Sequence, residues 1–509
     1  MFYTKKDLKN LFKKGVYNVN ESKKIAKNYI FNMIYQIFIL ITPLVTTPYI
    51  SKTLGAEKIG IYSYTLSVAT YFMIVGSLGF PLYGQREIAI VAENNEKRSS
   101  LFCQIISAQL CLIFITLIVY LFFVIVFFKD NRYMYILQMI GIFGHAFTTN
   151  WFYMGIEKFE ISVGRNIFVK LFSIVTIFLF VKKPEDVFKY AFIMGLSNVI
   201  GNLIALVGIK KYVSFSLNKV SLKKILRHVK PAFILGIPYY ITTVYAVIDK
   251  TMIGILGSGY QEVGYYEQSQ KVIGITLAIV TTISGVLLPR ISNEIGKKNK
   301  EKIEELLALG INITMMLSMP IMLGLIIIGN MIVPWFFGNG YEKVGLLIQI
   351  FSPLSVCIGI TNLLVNQYLI ALKKEKVLIY IISFCIIINC IGNALLIPYF
   401  DSIGVAYATV FSEFIKLIII ILYLTNSISI KNLFKETFKY ILSAIIMFTG
   451  LEIIKNQFQM ENNLYNTLFL IIIGGIVYFL ALIIFQDKYM VAFFSNKLNK
   501  IVKKINITK

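Results

Sequence analysis

Apolar runs of about 20 residues recur along this chain from residue 29 to residue 485, each followed by a short polar break. At about 1.5 Å of rise per residue, such a run crosses a hydrocarbon core about 30 Å thick. The runs are continuously apolar rather than alternating, which predicts helices and not barrel strands, because a lone span must satisfy its own backbone hydrogen bonds in lipid. The pattern places spans at 29–50, 59–81, 101–128, 133–155, 161–181, 187–209, 232–256, 263–288, 303–328, 344–372, 377–398, 403–424, 438–454 and 464–485. The expected fold class is an all-α polytopic membrane protein of about 14 transmembrane helices.

One polar break recurs. Residues 48–64 read PYISKTLGAEKIGIYSY, and residues 256–266 read LGSGYQEVGYY. Leu54, Gly55, Gly60 and Tyr62 in the first correspond to Leu256, Gly257, Gly264 and Tyr266 in the second. Arg86 lies 26 residues after Gly60, and Arg290 lies 26 residues after Gly264. The preceding spans carry Pro43 and Pro48 in one case and Pro238 in the other. Matching punctuation at an offset of 204 residues implies two six-helix halves of parallel orientation. Each island is then the outer hairpin that opens a half, its glycines serving a tight turn and close helix approach and Pro48 ending or bending the first helix. An ordinary glycine-rich loop is the plainer alternative.

The organisation that follows is a basic cytoplasmic segment at 1–27, a first bundle at 28–209, a basic loop at 210–231, a second bundle at 232–425, two further spans within 437–486 and a basic tail at 487–509. Two bundles enclosing a central cavity form the architecture of an alternating-access transporter.

Composition agrees: 57% of the 509 residues are hydrophobic, 15% are charged, and the mean hydropathy is +0.73. The net charge of +24 would suggest nucleic acid in a soluble protein, but here it sorts by topology, so no nucleic-acid partner is expected. With both termini inside, 37 Lys and Arg fall on the inner side and nine in the outer loops, which orients the chain with cytoplasmic ends. Residues 1–27 hold eight lysines and no signal-peptide pattern. Leu8, Leu11, Phe12 and Val16 fall near helical spacing there, consistent either with a helix on an anionic inner leaflet or with a solvated tail. Cys103, Cys111, Cys357, Cys385 and Cys390 all lie in spans, without metal-ligand spacing, and read as small buried hydrophobes. No metal or cofactor is expected.

PLVTTPYISKTLGAEKIGIYSYTLSVATYF, GSLGFPLYGQREIAI and IDKTMIGILGSGYQEVGYYEQSQKVIG resemble the Wzx-type polysaccharide flippases of the multidrug/oligosaccharidyl-lipid/polysaccharide (MOP) exporter superfamily. Pro48, Tyr49, Leu54, Gly55, Gly60, Tyr62, Ser63, Gly79, Tyr83, Gly84, Arg86 and Glu87 carry the resemblance; Lys52 departs from it, where the family more often has arginine. The resemblance implies a MATE-like pair of bundles. It also implies a substrate, an undecaprenyl-diphosphate-linked oligosaccharide, turned from the cytoplasmic to the outer face of the plasma membrane for a polysaccharide polymerase machinery.

Charges within spans are costly unless partnered or solvated, and eight such residues stand out: His145, Lys170, Asp249, Lys250, Glu267, Lys271, Glu413 and Lys416. Glu267 and Lys271 are spaced i,i+4 and Glu413 and Lys416 i,i+3, so each pair can neutralise itself on one helix face. Asp249 and Lys250 point about 100° apart on a helix and must look to other partners. Lys170, Lys250, Lys271 and Lys416 are read as cavity cations for the diphosphate, each a flexible point charge. Asp249, Glu413 and His145 are read as candidates for H⁺ or Na⁺ coupling, with lysine pairing or an interhelical hydrogen bond as the structural alternatives.

The sequence contains no GxGxxG, P-loop, HExxH or GxSxG pattern, and no enzyme is expected. A membrane glycosyltransferase or polymerase would need a large outer loop with acidic groups, and the outer loops are short. The rivals within transport are a cation-coupled multidrug exporter and a flippase for a peptidoglycan or teichoic acid precursor.

Overall fold

In a computed structural model, residues 19–215, 221–282, 284–425 and 427–488 are described, with side chains from residue 38 onward except at 284–286 and 289. The amphipathic pattern at Leu8, Leu11, Phe12 and Val16, and the basic tail beyond Lys488, lie outside the described residues.

The elements run α1 Val19–Ser77, α2 Phe80–Ile90, α3 Asn95–Phe127, α4 Arg132–Ala146, α5 Asn150–Gly155, α6 Phe159–Phe180, α7 Val187–Gly208, α8 Leu222–Leu256, α9 Tyr260–Thr281, α10 Ser284–Gly296, α11 Lys300–Phe336, α12 Glu342–Phe351, α13 Leu354–Leu364, α14 Glu375–Leu424, α15 Thr437–Gln457 and α16 Leu464–Ile484. No strand occurs among the described residues. Nine stretches among them are long and apolar enough to cross a membrane, or ten with the bent pair α12–α13. Two of these stretches, Phe38–Ile90 and Glu375–Leu424, each hold two of the fourteen apolar runs, because single backbone residues divide them. Gly55 at φ +75° interrupts α1, and Asp401 at φ +52° interrupts α14.

The first helix does not end at Pro48. It continues through Pro43 and Pro48 and breaks only at Gly55. Proline costs the helix one hydrogen bond, whereas a left-handed residue reverses the local backbone path, and only glycine adopts that conformation without a Cβ penalty.

The repeat persists in the elements themselves. Helix resumes at residue 56 and at Tyr260, and again at Phe80 and at Ser284, both pairs offset by 204 residues. The next helix of each half is capped by asparagine: the Asn94 side chain accepts from the Lys97 amide at 2.9 Å, and that of Asn299 from the Lys302 amide at 3.2 Å.

The chain forms two compact units that divide between Glu267 and Gln268. In the first, α8 packs on α1, α2 and α3. Phe80, Phe102, Trp151, Phe152 and Tyr153 build an aromatic core there, with Ala232 of α8 buried against it. Tyr49 ties α1, ahead of its break at Gly55, to the end of α6, donating its phenol proton to the Val181 carbonyl at 2.6 Å and packing on Phe178. The turn after α6 is closed by Asp186, whose carboxylate accepts from the Lys182 and Lys183 amides and pairs with Lys189 at 2.7 Å. In the second unit, α16 is fastened to α11: Tyr478 donates to the Met316 carbonyl at 2.9 Å, and Trp335 donates to Thr467 at 3.1 Å.

Candidate functional site

The two copies of the island meet within the first unit. A Cβ on Gly60 would lie 1.7 Å from the Tyr260 carbonyl oxygen, and one on Gly264 would lie 2.0 Å from the Ala56 carbonyl oxygen. Shifting residues 56 and 60 by 204 gives 260 and 264, so the crossing is reciprocal: each copy's glycine admits the backbone of the other. Tyr64 extends the contact, its ring 5.3 Å from that of Tyr260 and close against Gly254. Tyr71 and Thr251 join their hydroxyls at 2.9 Å one level further along. The remaining motif positions have separate tasks. Gly84 leaves room for the Trp151 indole, 2.5 Å from where a Cβ would stand, while Arg86 is exposed and paired with Glu87 at 3.1 Å. Gly257 caps α8 in extended backbone at φ −84°, so the two islands turn differently: the first needs a left-handed residue at Gly55 and the second does not.

Asp249 and Lys250 look to the neighbouring helix α9. Buried Asp249 accepts a hydrogen bond from the Tyr266 hydroxyl at 2.6 Å, and Lys250 pairs with Glu267 at 2.6 Å. Adjacent residues thus serve two parallel cross-links of one helical hairpin, which follows from their about 100° divergence. Glu267 is held across the hairpin by Lys250, a bond that its i,i+4 spacing to Lys271 does not suggest. Tyr62 and Tyr190, ring centroids 4.7 Å apart, lie within electrostatic range of Glu267. Lys250 is therefore one member of a half-buried polar belt rather than an isolated cation. Tyr266→Phe removes the hydrogen bond to buried Asp249 and is expected to cost about 0.5–1.5 kcal/mol. Thermal unfolding of the purified full chain measures this, and an unchanged midpoint would show that the bond adds nothing to stability.

Lys170 lies in a different environment. It borders a cavity of about 180 Å³ between α6 and α7 with Arg165, Asn166, Ser173, Ser197 and Asn198. No ion pair to Lys170 occurs among the described residues. The Arg165 guanidinium donates to Asn166 Oδ1 at 2.7 Å and to Asn202 Oδ1, and Asn202 donates in turn to the Gly144 carbonyl at 2.8 Å. His145, the next residue, lies within electrostatic range of Arg165, and its carbonyl accepts from Gln109 at 2.9 Å.

In the second unit, Lys416 pairs with Glu413 on α14, realising the i,i+3 spacing. Glu413 is 2% exposed, so the lysine neutralises a deeply buried carboxylate. Lys271 lies partly exposed on α9.

Two features escape a reading by charge alone. Arg165 falls inside α6, six residues after its start, and the polar residues that follow it at helical spacing, Asn166, Lys170 and Ser173, were the available signal. His228, 1% exposed on α8, bridges Tyr83 of α2 and Gln104 of α3, with Tyr83 Oη 2.7 Å from Nδ1 and Gln104 Oε1 3.0 Å from Nε2. Nothing in the sequence marks that bridge, because its members are brought together only by packing.

The pattern of the family described as "Polysaccharide biosynthesis protein" matches residues 25–295, and that of MatE matches residues 235–395. A "Putative O-antigen transporter" of Escherichia coli (strain K12) is 23% identical over 405 residues, covering 79% of this chain and 97% of that protein. The "Probable low-salt glycan biosynthesis flippase Agl15" of Haloferax volcanii is 24% identical over 203 residues, 40% of this chain and 43% of that protein. Among solved structures, "Lipid II flippase MurJ, inward closed conformation" superposes with a TM-score of 0.71 at 17% identity, covering 91% of this chain and 100% of that one. An inward-facing MATE multidrug resistance transporter of the MOP superfamily superposes with a TM-score of 0.62 at 14% identity, covering 79% and 99%.

Proposed function

The chain belongs to the polysaccharide biosynthesis protein family, as a multi-pass membrane protein of the Wzx type, and on that premise we propose that it is a flippase for lipid-linked oligosaccharides. The observation that carries this is the family match over residues 25–295, joined to the "Putative O-antigen transporter" of which the chain covers 97%.

In this reading the substrate is an undecaprenyl-diphosphate-linked oligosaccharide, delivered from the cytoplasmic to the outer face of the plasma membrane by alternating access. The 37 to 9 distribution of basic residues supports cytoplasmic termini. Each unit contributes cations at bilayer depth, Lys170 and Lys250 in the first and Lys271 and Lys416 in the second, which suits a ligand whose charge is a diphosphate. Lys250 and Lys416 are already paired with carboxylates, so they would serve by exchanging Glu267 or Glu413 for phosphate oxygens. Asp249, Glu413 and His145 are the groups proposed for coupling to H⁺ or Na⁺, and a polysaccharide polymerase machinery is the expected consumer of the product.

A cation-coupled multidrug exporter is a second reading, favoured by the MatE match over residues 235–395. The test separates the two. Cells depleted of the protein are expected to accumulate lipid-linked oligosaccharide on the cytoplasmic face, and wild-type protein is expected to reverse this. Unchanged sidedness together with new sensitivity to cationic drugs would reject the flippase and support the exporter.

A further inference from the structure

We infer that a cavity where the end of α11, the start of α12 and the α15–α16 turn meet is a binding site for a saccharide, with the side-chain amides of Asn330, Asn339 and Asn462 as its recognition groups. The inference rests on the flippase reading for the source of the glycan, while the chemistry of the cavity is its own.

The cavity, of about 600 Å³, lies wholly within the second unit. Asn330 reaches it from α11, Asn339, Glu342 and Lys343 from the following turn and the first residues of α12, and Asn462 from the turn between α15 and α16. Asn339 and Asn462 are 123 residues apart in the chain, and only packing brings them to one space. None of the in-span charges proposed for transport lines it among the described residues.

Its walls are fixed by contacts of their own. Gly329 and Gly345 let α11 and α12 touch: a Cβ on Gly329 would lie 3.0 Å from the Gly345 carbonyl oxygen, and one on Gly345 would lie 2.9 Å from the Asn330 Cα. Past that contact the chain reverses through Gly338 at φ +94° and Gly340 at φ +82°, which flank Asn339. Glu342 closes this turn by accepting from the Gly340 amide at 3.0 Å. On the other side, Lys455 donates to the Ile327 carbonyl at 3.3 Å and Trp335 to Thr467 at 3.1 Å, which fastens α15 and α16 to α11. The Asn463 side chain accepts from the Asn466 amide at 2.9 Å and holds the turn that carries Asn462.

The groups presented there suit sugar hydroxyls. A side-chain amide offers two N–H donors and a carbonyl acceptor, and a hydroxyl both donates and accepts. No hydrogen bond to the side chains of Asn330, Asn339 or Asn462 occurs among the described residues. Glu342 and Lys343 carry opposite charges, so the lining has no excess of cations to select a phosphate. Exposed Pro334 and Leu346 add apolar surface for the C–H face of a ring. The volume of about 600 Å³ falls within the roughly 300–1,000 Å³ of small-molecule sites and accommodates roughly one or two sugar rings. In the orientation proposed above, both turns belong to the outer side, so a sugar held here is retained where the product is delivered.

The probe is the oligosaccharide released by mild acid from the cells' own lipid-linked pool, free of lipid and phosphate. It is titrated calorimetrically into the purified full chain in lipid nanodiscs, because glucoside and maltoside detergents would compete for a sugar site. Wild type is expected to bind it. Asn339→Ala and Asn462→Ala, both at exposed turn positions, are each expected to weaken binding about three- to tenfold, the scale of one hydrogen bond, with unchanged unfolding midpoints. Absence of binding to wild type, or wild-type affinity in the double variant, would overturn the inference. If an alanine variant does not fold, Asn339→Asp or Asn462→Asp keeps the shape, removes the two donors and gives the same reading. Binding of phosphatidylethanolamine in place of the oligosaccharide, by native mass spectrometry, would assign the cavity to a zwitterionic headgroup and overturn the saccharide. Tighter binding of the released unit than of purified surface polysaccharide supports the transported unit as the ligand, and the reverse order supports the finished polymer; both uphold a glycan site. The flippase reading fails separately: unchanged oligosaccharide sidedness in depleted cells removes it even where the released unit binds, and altered sidedness with no binding removes only the cavity.

Discussion

Gly60→Ala and Gly264→Ala are each expected to stop the protein from transporting and to lower its unfolding midpoint, and the double variant is expected to be little worse than either. The groups in the way are backbone carbonyls, the Tyr260 oxygen 1.7 Å and the Ala56 oxygen 2.0 Å from the added methyl groups, so no side-chain rotation relieves them. The stretch after Gly55 and α9 would have to separate by more than an ångström. That separation would pull apart the Tyr64–Tyr260 ring contact and the Tyr71–Thr251 hydrogen bond along the same seam. Overpacking of this kind costs about 1–3 kcal/mol, and more when backbone must move. Both substitutions open one interface, so their effects share a single displacement and do not add. Gly259→Ala is the control: it is two residues past Gly257, nothing lies within 4 Å of its added methyl, and it is expected to be neutral. Wild-type unfolding and wild-type sidedness in Gly60→Ala would remove the crossing as a structural requirement.

Lys416→Met is expected to destabilise the second unit strongly, by about 3–5 kcal/mol, because it leaves the carboxylate of Glu413 buried without its lysine. The pair itself need not stabilise the fold, since desolvating two charges offsets most of their attraction. The double variant Glu413→Gln with Lys416→Met is therefore expected to recover most of the lost stability. Unfolding of the four proteins in one detergent closes the cycle. A Lys416→Met midpoint equal to wild type would show that Glu413 does not depend on Lys416. A stable double variant that no longer changes oligosaccharide sidedness would assign the pair to transport; one that still does would assign it to the fold.

Much of the candidate site was legible along the chain, and the rest was hidden for identifiable reasons. The i,i+3 spacing of Glu413 and Lys416 is realised because both residues lie on one uninterrupted stretch of helix, where local geometry decides contact. The same logic applied to Glu267 and Lys271 does not foresee Lys250, since a hairpin brings residues 17 apart within 2.6 Å. Arg165 is absent from the in-span charges picked out along the chain, and α6, starting at Phe159, places it six residues into the helix. The bridge from Tyr83 through His228 to Gln104 spans three helices and has no periodic signal at all.

What the sequence alone determined is what lipid enforces locally: that apolar runs of bilayer length become helices, that the chain is all-α, and that two stretches 204 residues apart repeat each other. Each of these is a property of a segment and its solvent, so position along the chain suffices. The tertiary structure decided which backbone residue breaks α1, Gly55 rather than Pro48, and where the compact units divide. It also decided that Gly60 and Gly264 serve one reciprocal crossing, and that Lys170 and Arg165 share a cavity while Lys250 and Lys416 have carboxylates. These depend on distances between segments, which are set by the packing of whole helices and by the cost of leaving a buried charge or backbone group unmatched.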